Sequence, residues 1–184
     1  MLRLTLLFFL TTTFLSVGQT DIAIKRPIDS WIGHYEGVLY LEFPDKTKDS
    51  LVLHLDIEPT KDPLKWTHKF FFFSSKYGNT IKDYLLYLEE GHSDGRHYVL
   101  DEKNGIEIDQ IFMNHTLYGH YEVLKNYYTT VLRKSGETLY YEIICTRSKN
   151  GRFTKSEPDE DGNIYEVTSF SAFTVQYAYL SKKN

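Results

Sequence analysis

Strict alternation of apolar and polar residues, broken at short intervals by turn-forming pairs, restricts this chain to antiparallel β-structure. The segment Leu51 to Glu58 shows it most cleanly: Leu51, Leu53, Leu55 and Ile57 fall on one face, and Val52, His54, Asp56 and Glu58 on the other. Side chains two apart on a strand share a face, so such a run buries one side and wets the other. The same pattern recurs from Trp31 nearly to the C-terminus, and the template predicts about ten strands. They are Trp31 to Phe43, Leu51 to Glu58, Leu64 to Phe73, Tyr84 to Glu89, His97 to Asp101, Ile106 to Met113, Thr116 to Leu124, Tyr127 to Arg133, Thr138 to Thr146 and Ile164 to Leu180. Pro44-Asp45, Gly78-Asn79, Asn104-Gly105, Ser135-Gly136 and Gly162-Asn163 supply the turns between them. The fold class is therefore all-β, an antiparallel meander of about ten strands closing into a barrel or sandwich. With 15 Tyr and 12 Phe among 184 residues, the composition suits a pleated, half-buried surface.

The chain reads as one domain, residues 31–184, preceded by two short segments. Residues 1–18 carry a basic Arg3, an apolar run from Leu4 to Val17 and small residues at Ser16 and Gly18, the layout of a signal peptide cleaved after Gly18. The expected location is accordingly exported, periplasmic or secreted, with no stable membrane anchor. Residues 19–30 form a lead-in that would lie across one barrel end. Losing Arg3 takes the formal charge from −4 to −5, which disfavours nucleic acid as a partner. A single cysteine, Cys145, permits no intramolecular disulfide and reads as a packed small hydrophobe. The charged stretch Arg147 to Asn163 reads as a solvated excursion.

The segment KWTHKFFFF, Lys65 to Phe73, points Trp66, His68, Phe70 and Phe72 inward and leaves Phe71 and Phe73 outside. Two functional readings follow. In the first, the protein is a non-enzymatic barrel whose interior takes a small, mainly apolar ligand, lined by Tyr35, Leu53, Leu55, Trp66, His68, Phe70, Tyr121, Tyr141 and Tyr177. In the second, the interior is packed, and Phe71 and Phe73 meet a protein partner or a second copy. An outer-membrane barrel is a third option, disfavoured by charges that interrupt the apolar faces, and an enzyme built on the same scaffold is a fourth, with no residue constellation to recommend it.

No catalytic constellation, metal site or cofactor signature stands out. His34-x-Glu36 and His54-x-Asp56 would share faces and could chelate, but cross-strand polar pairing is the simpler expectation. Glu157 to Gly162 resembles a calcium loop yet lacks its first and twelfth ligands and reads as an exposed turn.

Trp31-Ile32-Gly33-His34-Tyr35-Glu36-Gly37 resembles the opening strand of calycin-type barrels, the lipocalins, fatty-acid-binding proteins and nitrobindin-like proteins. The resemblance implies a lipocalin-like barrel, with a tryptophan packed over one barrel end and glycines where the strand bends. The stretches Trp31 to Leu41 and His97 to Ile106 are also similar to exported lipocalin-like proteins of Bacteroidetes type. Two departures bear on ligands. The last strand reads Val175-Gln176-Tyr177-Ala178-Tyr179, without the arginine that holds a fatty-acid carboxylate, and no histidine follows His120 to hold haem as in nitrobindin-like proteins.

Overall fold

The structure, a computed structural model, describes residues 26–92 and 94–183. A short 3-10 helix, Pro27–Trp31, leads into β1 (Gly33–Glu42), β2 (Lys48–Pro59), β3 (Lys65–Phe73), β4 (Thr80–Leu88), β5 (His97–Asp101), β6 (Glu107–Met113), β7 (Thr116–Val123), β8 (Asn126–Ser135), β9 (Thr138–Arg147), β10 (Arg152–Lys155), β11 (Glu166–Ser169) and β12 (Ala172–Lys183). Ten strands form one closed antiparallel barrel in the order β1-β12-β9-β8-β7-β6-β5-β4-β3-β2. Each strand is paired on both sides, so the barrel offers no free edge to another chain. The expected signal peptide and the first part of the lead-in lie outside the described residues.

The predicted faces of β2 and β3 hold. Leu53, Leu55 and Ile57 are fully buried, and Trp66, His68 and Phe70 are at most 4% exposed. Gly37 answers a local need. A side chain there would collide with the Tyr179 carbonyl of the neighbouring strand, and the β1–β12 register skips Gly37 and Val38 while resuming at Leu39↔Ala178.

Most strand ends shift by a few residues from the sequence reading, and two differences change the architecture. Trp31 closes the 3-10 helix and does not open β1, because Pro27 at the helix start presets a turn and Ile28 and Trp31 bury their side chains in the barrel end. The solvated excursion is partly ordered as a ribbon, β10 paired with β11, and the long last strand expected from Ile164 to Leu180 is divided accordingly. Every residue of β10 and β11 is exposed. Within this excursion Asp159 accepts bonds from the backbone N–H of Asp161 and Asn163 and from the Tyr165 hydroxyl. The loop thus satisfies this carboxylate itself.

The turn between β7 and β8 is the least suited to its residues. Leu124 and Lys125 both adopt positive φ, 50° and 62°, and Leu124 is 90% exposed. Left-handed backbone costs a side-chain-bearing residue roughly 1–2 kcal/mol, and two-residue hairpins of this hand favour Asn-Gly. Leu124→Asn with Lys125→Gly is expected to stabilise the protein by about 1 kcal/mol, raising the melting temperature by about 2–4 °C. Calorimetry showing no rise would mean that the turn is not a site of backbone strain.

Candidate functional site

One end of the barrel is plugged and the other is not. At the plugged end Trp31 and Ile28 sit among Trp66, Tyr98 and Phe112, with the Trp31 and Phe112 rings 5.9 Å apart and those of Trp66 and Tyr98 6.1 Å apart. Hydrogen bonds seat the plug: the Trp66 indole donates to Asp29 (3.0 Å), and the Tyr35 hydroxyl donates to the Trp31 carbonyl (2.9 Å). Arg26 pairs with Asp29 at 2.8 Å. A plug that is seated by hydrogen bonds while burying a tryptophan is a stable lid.

Beyond this plug the interior holds a cavity of about 200 Å³, enclosed by the inner faces of β3 to β9. Leu86, Leu117 and Leu132 line its deep part together with His68 and Phe70, all buried. Tyr141 of β9 reaches across to Phe70 of β3, ring centroids 5.0 Å apart, although the two strands are not neighbours. Phe72, Tyr84, Tyr121 and Ile143 are half-buried nearer the mouth, where Lys82 and Glu102 reach solvent. Gly119 makes room in the wall: a side chain there would strike the Gln110 amide and lie 2.7 Å from Thr130 Oγ1.

The electrostatics are those of a dry chamber with neutral polar handles. Burial pushes the His68 imidazole down to about 4, so it is uncharged at neutral pH. Its Nδ1 is buried and has no hydrogen-bond partner among the described residues. Burial, followed by the Glu102 charge, pushes Tyr121 up to about 12 and raises Tyr84 further, and burial raises Tyr141. These phenols keep their protons and can donate hydrogen bonds. Cys145 is 2% exposed, and burial raises its thiol, the profile of an unreactive packed cysteine.

Of the nine lining residues expected from sequence, His68, Phe70, Tyr121 and Tyr141 meet on the cavity wall. Tyr35, Leu53, Leu55 and Trp66 point inward but belong to the packed core. Tyr177 is a correction: it stands on the outer face, its ring 5.5 Å from Tyr40, and donates to Glu42. The β9 and β12 register places Thr174 and Ala178 inside, so Tyr177 must face out. Sequence reading missed Tyr84, Gln110, Thr130 and Glu102. The alternation of Lys82, Tyr84 and Leu86 was available for the first of these; the others stand out only once the strands are assembled.

Phe71 and Phe73 lie on the outer wall as expected. Phe71 is half-buried between His54 and Ile81 of the adjacent strands, and Phe73 is 38% exposed beside the His54 ring, 4.8 Å away.

No protein-family model matches the chain, and no curated protein matches it by sequence. Among solved structures, the fold is similar to that of an S-type phycobiliprotein lyase from Guillardia theta, with a TM-score of 0.58 at 7% identity over 85% of this chain and 90% of that one. At that identity the likeness establishes the barrel architecture.

The neutral state of His68 has a consequence for stability. An unfolded histidine titrates near 6.5 and the folded one near 4, so the unfolded state binds the extra proton between those values. Stability is retained above pH 6.5 and falls as pH drops towards 4, by about 3 kcal/mol in all. In His68→Phe this component should vanish, flattening the melting temperature against pH relative to wild type. Parallel profiles for the two proteins would show that His68 titrates normally.

Proposed function

We propose that the protein binds one small, neutral, mainly apolar molecule inside its barrel, with a single hydrogen-bonding group meeting His68. The observation that carries this reading is a cavity of about 200 Å³ walled mainly by hydrocarbon and aromatic rings, with the neutral polar side chains His68, Gln110, Tyr121 and Tyr141 on its lining and His68 Nδ1 among the buried atoms without a partner. A buried polar atom without a partner costs about 1–3 kcal/mol, which a ligand's polar group would recover. Volume sets the size class. An apolar cavity of about 150 Å³ holds benzene, so one of 200 Å³ suits a molecule of one or two rings or the end of a chain. The neutral phenols and imidazole disfavour a charged group in the deep part.

The proposal extends to export as a soluble carrier related to lipocalin-like proteins of Bacteroidetes type. An apolar interior is the opposite of the polar lumen of outer-membrane barrels, and the outer wall carries the ion pairs Lys69–Asp83 and Lys103–Asp83. The phycobiliprotein lyase likeness supports the container and not a shared reaction.

Naphthalene and 1-naphthol test the assignment, because they differ by one hydroxyl. Wild type should prefer 1-naphthol by about three- to tenfold in a fluorescence titration, and His68→Phe should lose the preference. Leu100→Trp, which fills the cavity from its wall, should weaken both ligands at least tenfold while leaving a folded protein. Equal affinity for both ligands in wild type, or full binding by Leu100→Trp, would place the ligand elsewhere. Association through Phe71 and Phe73 is the rival reading. If the cavity is the functional site, the double variant Phe71→Ser, Phe73→Ser keeps wild-type naphthol binding, and sedimentation shows an unchanged mass.

A further inference from the structure

We propose that His34, Glu36 and His54, on the outer wall of β1 and β2, form a binding site for a divalent transition-metal ion of the zinc type, with Asp56 orienting His34 from behind. The site is separate from the cavity. In the β1–β2 register His34 lies opposite Asp56 and Glu36 lies opposite His54, so the four side chains occupy a square on the outward face. Within that square the groups are aimed. His34 Nδ1 bonds Asp56 Oδ1, which leaves Nε2 directed at Glu36 Oε1, 2.9 Å away. His54 Nε2 lies 3.7 Å from the same oxygen. The carboxylate oxygen and the two imidazole nitrogens form a triangle whose corners all fall within 4.8 Å of one another.

Those distances fit a tetrahedral ion. Zinc binds imidazole nitrogen and carboxylate oxygen at about 2.0–2.2 Å, so two ligand atoms of one tetrahedron lie roughly 3.3–3.5 Å apart. The two observed oxygen–nitrogen edges, 2.9 and 3.7 Å, straddle that separation, and the nitrogen–nitrogen edge lies within 4.8 Å, so side-chain rotation on binding closes the triangle onto the ion. Two nitrogen donors and one oxygen select a borderline ion over calcium or magnesium, which prefer all-oxygen sites. Three protein ligands leave the fourth position open to water or an exogenous group.

Asp56 supports the assignment. A histidine that binds metal through one nitrogen commonly donates the N–H of the other to a carboxylate, which sets the tautomer and the ring's orientation. Asp56 stands in that relation to His34. Lys183 lies 3.6 Å from the second oxygen of Glu36, leaving Oε1 as the coordinating atom. The ligand side chains are 25–40% exposed, so an ion can reach them from solvent without opening the barrel.

The test is a calorimetric titration of the untagged protein, stripped with chelator, with Zn²⁺, accompanied by Co²⁺ absorption spectra to report geometry. Wild type should bind one Zn²⁺ at this site and give the visible bands of tetrahedral Co²⁺. Glu36→Gln and His54→Ala should each weaken binding at least tenfold, and Asp56→Asn should weaken it about 10- to 100-fold with the ligands intact. Melting curves in chelator establish that each variant is folded. A second histidine group, Glu89, His92 and His97, provides the control. His92→Ala should leave the affinity at the first site unchanged. Absence of Zn²⁺ binding in wild type, wild-type affinity in His54→Ala, or loss that follows His92→Ala would each overturn the assignment.

Discussion

The seam between β1 and β12 is the interaction on which the rest of the structure depends. It joins the first and last strands of the barrel, from His34↔Lys183 to Glu42↔Val175, and turns an open meander into a closed wall. Without it two long edges would present unpaired N–H and C=O groups, and the interior would open to water along its length. Closure also determines parity. Once the register of the seam is set, every side chain on β1 and β12 is assigned to the inside or the outside, whatever its hydrophobicity. Gly37 lets the Tyr179 carbonyl approach within this seam, so a small residue there serves the container as a whole.

Ten strands enclose more space than the inward side chains fill, and the 3-10 helix Pro27–Trp31 resolves the excess at one end only. Tryptophans and the bonds from Trp66 to Asp29 and from Tyr35 to the Trp31 carbonyl pack that half. In the other half the large aromatics line the wall, and volume remains among Phe70, Tyr84, Tyr121 and Tyr141. The polar group placed deepest, His68, is the one that burial holds neutral. A neutral imidazole can either donate or accept, which makes it a selector of polarity at modest cost in solvation. Outside, the same alternation places histidines and carboxylates of β1 and β2 in direct opposition, so one wall carries both a chamber and a polar cluster.

Much of this architecture was legible in the sequence because pleat parity and hydrophobicity agreed over β2 and β3. Leu53, Leu55, Trp66, His68 and Phe70 fall where alternation puts them. The β12 segment AFTVQYAYL shows where that agreement fails. Its bulky set, Phe173, Val175, Tyr177 and Tyr179, suggests an interior face, yet the small and polar set carries Thr174, Ala178 and Leu180 inward. The aromatics instead form cross-strand pairs outside, Tyr177 with Tyr40 and Tyr179 with Tyr140. Cavity residues such as Gln110 on β6 and Glu102 just after β5 escaped because they are polar, and a polar residue at an inward position gives no sign of burial in the alternation. The plug was legible in part: a tryptophan over one barrel end was expected and Trp31 is buried there, but it ends a 3-10 helix, whereas the alternation read it as the start of a strand.

The account turns on the claim that the interior is a chamber for a small organic molecule. Native mass spectrometry of the protein, purified without detergent and compared with the same sample denatured, tests that claim most directly. The account predicts a single additional small mass in the native spectrum that disappears on unfolding. A bare native mass that stays bare after saturation with small neutral aromatic compounds would contradict it.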